Sequence, residues 1–198
     1  MCAKNFEDLT RRKNFKPLRK NFLIVCEGEK TEPNYFKKFR VPKEVFDVVG
    51  IGANTESLVR KAIELKKKAS MSYDDVWCVF DRDSFPAKNF NNALALAKKN
   101  NIKIAYSNEA FEIWYLLHFY YHDSATSRAD YGNMLTARLG FQYKKNDDSM
   151  YDNLIALQKT AIANAAKLLK FYAKHSPSKD NPSTTVHILV KELNKHSV

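Results

Sequence analysis

The chain has 198 residues, enough for one domain with a core that needs neither disulfides nor a structural metal. Only five glycines and six prolines exclude collagen-like and low-complexity architectures. Thirty-three Lys and Arg against 22 Asp and Glu leave a net charge of +11, which favours polyanionic partners, nucleic acid above all, and says nothing about fold.

Much of the basic charge is local. Residues 1–20 carry Lys4, Arg11, Arg12, Lys13, Lys16, Arg19 and Lys20 against Glu7 and Asp8, either a solvated tail or an arm that grips nucleic acid. No stretch approaches the ~18 apolar residues of a membrane span, and the basic N-terminus has no apolar run, so neither insertion nor secretion is expected. Cys26 and Cys78 sit inside apolar runs with no disulfide framework or zinc spacing, as expected of buried thiols in the cytoplasm.

In chain order, Phe22–Cys26 is a continuous apolar run ending at Glu27-Gly28, the pattern of a strand buried on both faces. Thr31-Glu32-Pro33 has the composition of a helix start: hydroxyl cap, first-turn acid and early proline. Tyr35, Phe36 and Phe39 then share one face. A second strand is expected at Val45–Val49, closed by Gly50 and Gly52, and a helix at Thr55–Ala69 with Leu58, Val59, Ala62 and Ile63 at helical spacing. The third strand, Val76–Phe80, runs into Asp81-Arg82-Asp83. Helix Asn89–Asn100, strand Ile102–Tyr106 and an apolar helix Glu109–Phe119 follow. Strands alternating with helices predict βαβ units, hence an α/β fold with a parallel sheet flanked by helices.

From about Asp123 the pattern turns helical, with a short helix at Tyr131–Leu139, a long one at Met150–Phe171, a loop at Pro177–Pro182 and a last helix capped by Ser183. The expected organisation is a basic arm over 1–20, an α/β core over 21–122 and a helical region over 123–198 packed on it.

Ligands of open α/β sheets bind outside the carboxyl ends of the strands. Glu27 ends the first strand, and Asp81 and Asp83 follow the third. If those strands are neighbours, three carboxylates meet at one edge and raise each other's pKa. A divalent cation relieves that repulsion, and Mg²⁺ takes one or two carboxylates with waters and substrate phosphate. The bland alternative makes the Asp-Arg-Asp acids helix caps or partners of Arg82, and Glu27 an exposed loop acid.

Four segments carry a family resemblance: Leu23-Ile-Val-Cys-Glu-Gly-Glu-Lys-Thr-Glu-Pro-Asn-Tyr-Phe36, Val79-Phe-Asp-Arg-Asp83, Ser107-Asn-Glu-Ala-Phe-Glu-Ile-Trp-Tyr-Leu-Leu-His-Phe119 and Asn181-Pro-Ser-Thr-Thr-Val-His-Ile-Leu-Val190. In this order, spanning about residues 11–195, they resemble the RloB-like family, which belongs with Toprim-like proteins. The resemblance implies a Toprim-like core, with Glu27 as general acid/base or metal-linked glutamate and Asp81 and Asp83 as the metal pair for Mg²⁺ or Mn²⁺. Glu29 competes weakly with Glu27 for that role. Asn108 and Glu112 match the third segment and could reach the site, the alternatives being a helix cap and an exposed helix position.

The resemblance further implies anti-phage or restriction-linked nuclease activity on DNA or RNA, tRNA included, and an ATPase encoded nearby as partner. An oligomer is compatible with the sequence, and no membrane partner is expected. Candidate nucleic-acid contacts are Arg11, Arg12, Lys13, Lys30 and Lys179.

Two other readings stand beside the metal-dependent nuclease. One is a non-catalytic nucleic-acid-binding or sensor subunit working with an ATPase. The other is an aspartyl-phosphate phosphatase using Asp81 and Asp83, although that pair usually follows the first strand. His118 and His122 have a zinc-compatible spacing but lack a glutamate beside the first histidine, which favours packing. The Lys66–Lys68, Lys98-Lys99 and Lys144-Lys145 runs are expected to be solvated helix ends.

Overall fold

The computed structural model describes residues 20–42, 46–52, 54–82 and 86–197; Asp83, Arg11, Arg12 and Lys13 therefore lie outside the described residues. Strands β1 (Phe22–Cys26), β2 (Phe46–Gly50), β3 (Asp75–Asp81), β4 (Lys103–Asn108) and β5 (Ser183–Thr184) form one sheet in the spatial order β2-β1-β3-β4-β5. The first four are parallel, with Ile24 opposite both Val48 and Trp77, and Asp81 opposite Ser107. β5 runs antiparallel to β4. Helices α1 (Thr31–Lys37), α2 (Thr55–Lys68) and α3 (Ala87–Lys99) join the parallel strands. After β4 come α4 (Glu112–Leu116), α5 (Arg128–Leu139), α6 (Met150–Leu154), α7 (Gln158–Phe171) and, beyond β5, α8 (Val186–Asn194).

The apolar strands are buried on both faces because two helical layers cover them. Phe22, Ile24, Cys26, Trp77 and Val79 pack with α1 and α4 through α8. The alternate residues Leu23, Val25, Val76, Cys78 and Phe80 pack with α2 and α3. This period-2 division, with apolar residues on both faces, is what a continuous hydrophobic run encodes in a parallel sheet. Asn54 caps α2 by accepting the Ser57 N–H at 3.1 Å, and the lysines ending α2 and α3 lie in the last turns, where the helix dipole favours them. Among the described residues no helix is long and apolar enough to cross a membrane.

Several local expectations are corrected. Thr31 does not cap α1; it is the first helical residue, and its hydroxyl donates to Asn146 Oδ1 at 2.8 Å. The helix expected at Glu109–Phe119 is α-helical only over Glu112–Leu116, with tighter bonds such as Ile113 N–H to Ala110 O and His118 N–H to Tyr115 O at its ends. The expected long helix is interrupted by a 3-10 turn at Ile155–Leu157 between α6 and α7. Ser183 is not a cap: with Thr184 it forms β5, and the Thr184 hydroxyl accepts the N–H of Val186 at 3.2 Å. Asn108 is not a cap either: Phe111 precedes α4, no side chain caps it, and the Asn108 side-chain amide donates to Pro177 O at 3.4 Å.

Chain order and sheet order together locate the site. From β1 the chain passes to β2 on one side, and β3 and β4 then build outward on the other. The direction of winding reverses between β1 and β3, and the carboxyl ends of the strands flanking such a point form the crevice of an open α/β sheet. Glu27 and Asp81 stand at those two ends.

Candidate active site

Glu27 immediately follows β1 yet remains attached to β3, its N–H bonding Val79 O at 2.9 Å. Its carboxylate accepts the backbone N–H of Asp81 at 3.1 Å and the hydroxyl of Thr55, at the start of α2, at 3.3 Å. Asp81 is fixed in turn because the next N–H, of Arg82, bonds Ser107 O on β4 at 2.7 Å. Both acids are thus aimed by sheet hydrogen bonding rather than by a loose loop.

Three further carboxylates line the same cavity, Glu29 exposed and Glu32 and Glu112 buried. Glu32, in the first turn of α1, is 6% exposed and faces the same cavity. Gly28 makes room for it: a Cβ there would lie 2.2 Å from Glu32 Oε2. Glu112, also 6% exposed, opens α4 and accepts the Tyr143 hydroxyl on Oε1 at 3.0 Å. Burial, reinforced by Glu112, pushes the Tyr143 phenol up, so it stays protonated as that donor. The cavity between these groups has a volume of about 700 Å³ and is also lined by Lys30, Arg128 and Lys145.

Charge in this cavity is unbalanced. Burial holds the Asp81 carboxyl well above the usual carboxylate range, and the negative charges of Glu32, Glu112 and Glu27 add to that. Arg128, whose Nη2 lies 3.2 Å from Asp81 Oδ2, opposes them without prevailing. Glu32 is raised too, by burial and then by Glu112, against hydrogen bonding from its own backbone and the charges of Lys145 and Arg128. Carboxylate oxygens are the donors that hard divalent cations take. Glu27 and Asp81 could supply the one or two that Mg²⁺ uses, with Glu32 and Glu112 beside them. Among the described residues no three His, Cys, Asp or Glu side chains are gathered closely enough to hold an ion by themselves. An ion here would need waters and substrate oxygens to complete its shell.

The structure thus brings Glu27, its competitor Glu29, Asp81, Glu112 and Lys30 around one cavity. Lys179 stands apart, exposed on the loop between α7 and β5; Arg82 Nε donates to Ser178 O in that loop at 2.9 Å. His118 and His122 turn to different partners, Trp114 O at 2.9 Å and Thr126 Oγ1 at 2.7 Å.

Three charged residues of the cavity are not marked as such by the sequence. Glu32 has the position of an ordinary first-turn acid, and only Gly28 and the Glu-Pro pair beside it signal more. Lys145 is expected at a solvated helix end, but α5 finishes at Leu139 with Gly140 left-handed (φ 77°), so Lys144 and Lys145 lie in the loop beyond. Arg128 carried no signal at all, being 47 residues from Asp81.

The sequence model of one protein family, described as RloB-like protein, matches residues 22–193. Comparison with the curated proteins and with the solved structures returns no match.

Proposed function

The chain belongs to the RloB-like family, and we propose that it is a metal-dependent endonuclease that hydrolyses nucleic-acid phosphodiesters in anti-phage defence. The observation that carries this reading is the Glu27–Asp81 pair at the switch point of the sheet, held by the Asp81 N–H to Glu27 carboxylate bond. The +11 net charge supports a polyanionic substrate. The Toprim-like resemblance of the two acidic motifs supports the reaction class.

In this reading Glu27 and Asp81, with Asp83, hold Mg²⁺ or Mn²⁺. The bound ion supplies an acidified water and neutralises charge developing on the phosphate. Glu27 is oriented by the Asp81 N–H and the Thr55 hydroxyl, placing its carboxylate to bind the ion or accept a proton. Glu112, steadied by the Tyr143 hydroxyl, serves the same cavity as a further acid/base group. The setting proposed is the cytoplasm, where free thiols such as Cys26 and Cys78 stay reduced.

The test is cleavage of labelled plasmid, single-stranded DNA and bulk tRNA with Mg²⁺ or Mn²⁺, by the chain alone and with a neighbouring ATPase. EDTA and Asp81→Asn should each lower the rate on the order of a thousandfold, the loss expected when several kcal/mol of transition-state stabilisation disappear. Wild-type cleavage by Asp81→Asn would sink the reading. One observation favours a second reading, a binding or sensor subunit without turnover: Arg128 already supplies Asp81 with a positive partner. Nucleic-acid binding with no cleavage in either metal, alone or with the ATPase, would select it.

A further inference from the structure

The cavity is not uniformly acidic. Its lining carries Glu27, Glu29, Glu32, Asp81 and Glu112, from the strand ends, the turn after β1 and the helix starts, while Arg128 and Lys145 enter from α5 and the loop that follows it. We propose that these cations form a phosphate clamp, in which Arg128 and Lys145, with Lys30 beside them, hold a backbone phosphate of nucleic acid without help from a metal. The inference rests on the proposed function only in taking nucleic acid as the ligand.

Three observations carry it. Arg128 is the first residue of α5, and its ion pair with Asp81 fixes the guanidinium beside the acids. A guanidinium is a planar fork matching two oxygens of a phosphate, which makes Arg rather than Lys suited to this inner position. Second, the Lys145 loop is fastened across the cavity: Asn146 Oδ1 accepts the Thr31 hydroxyl at 2.8 Å, and Asn146 O accepts Asn34 Nδ2 at 3.3 Å, both from α1. The same loop is braced internally, Asp147 Oδ1 accepting the N–H and hydroxyl of Ser149 at 2.8 and 2.7 Å. Lys145 therefore stands exposed on an ordered base at the cavity. Third, about 700 Å³ is within the range of pockets that take nucleotide-sized groups. Five carboxylates would repel a phosphate from such a space, so an anion there must be held by the three cations among the lining residues.

The rival explanation is that these cations merely offset the acids, and a background lacking one acid separates the two. Binding of short labelled single-stranded DNA and RNA would be measured by fluorescence anisotropy in EDTA across a range of salt, using wild type, Asp81→Asn, Asp81→Asn/Arg128→Met and Lys145→Met. The double variant removes both members of the Arg128–Asp81 ion pair together. Each clamp residue lost should weaken binding and flatten the slope of log affinity against log salt by about 0.7, the value for one single-strand phosphate contact. Arg128→Lys in the same background should keep the slope while binding more weakly.

Unchanged affinity and slope in the double variant and in Lys145→Met would overturn the clamp, as would absence of wild-type binding in EDTA. Slopes that flatten while no metal supports cleavage would uphold the clamp and sink the nuclease. Cleavage with unchanged slopes would do the reverse.

Discussion

Asp75 and Asp81 open and close the same strand, β3, yet stand in opposite electrostatic situations. Asp75, 6% exposed, bonds the ammonium groups of Lys20 and Lys103, and Lys20 also bonds Glu192 at 2.9 Å. At that edge of the sheet, lysines answer the acids. At the other edge Asp81 meets Arg128 at 3.2 Å while Glu27, Glu32 and Glu112 surround it with like charge. Buried carboxylates as such do not mark a site, because both ends of β3 have one. The mark is a buried acid whose like-charged neighbours outnumber the guanidinium that answers it.

The largest stability contrast should come from removing each charge in turn. Asp75→Asn leaves Lys20 and Lys103 without their shared partner and should cost about 1–3 kcal/mol. The low end is expected because those side chains are 39% and 47% exposed and can turn to water. Asp81→Asn instead removes a charge that burial and its neighbours disfavour, so stability should hold or rise by about 1 kcal/mol. Denaturant midpoints at constant slope would measure both. A loss at Asp81 as large as that at Asp75 would erase the contrast.

The next test uses pH. Lys195 and Lys20 hold the Glu192 carboxyl at about 2, below its ordinary 4.5. A depressed folded-state pKa stabilises the fold above the ordinary value, and that stability is lost as pH falls from about 4.5 toward 2. Asp81 has the opposite sign. Its raised pKa gives no penalty below about 3.8, and the penalty grows as pH climbs through the raised folded-state value. The midpoint difference between wild type and Glu192→Gln should therefore shrink on acidification, while that between Asp81→Asn and wild type should widen as pH rises from about 4. Parallel curves for the two variants would contradict the division of the sheet into balanced and unbalanced edges.

How much of this is legible in the sequence follows from the range of each interaction. The β1 and β3 runs are continuous because both faces are buried, and the acids after them are adjacent in sequence, so strand ends and candidate acids can be named together. The short β5 cannot be named: Ser183 and Thr184 have the composition of a cap, and only their distant pairing with Ser107 and Asn108 makes them a strand. The break between α6 and α7 is hidden for another reason. Buried Met150, Leu154, Gln158, Ala161, Ala165 and Leu168 keep spacings of three and four across it, so the periodicity runs through the 3-10 turn. Arg128 and Lys145 reach the cavity through tertiary folding alone, and no local pattern distinguishes them from other surface cations.

The smallest effect should come from Gly28, and it isolates the part Glu32 plays at the unbalanced edge. A Cβ at Gly50 would strike backbone, Gly28 O at 2.5 Å and Glu29 Cα at 2.8 Å, so Gly50→Ala must shift the chain, at a cost of about 1–3 kcal/mol. At Gly28 the obstructing atom is Glu32 Oε2, the far end of a side chain that can swing away. Gly28→Ala should therefore change stability by less than about 1 kcal/mol while displacing the Glu32 carboxylate from the cavity. Metal-dependent cleavage should fall and the Asp81 carboxyl should move down toward its ordinary range, because one of the like charges raising it has withdrawn. A titration of Asp81 by NMR, paired with the cleavage rate, reads both consequences. If Asp81 shifts and the rate does not, Glu32 sets the charge of the cavity without taking part in its chemistry, and the acids that matter narrow to the pair at the ends of β1 and β3.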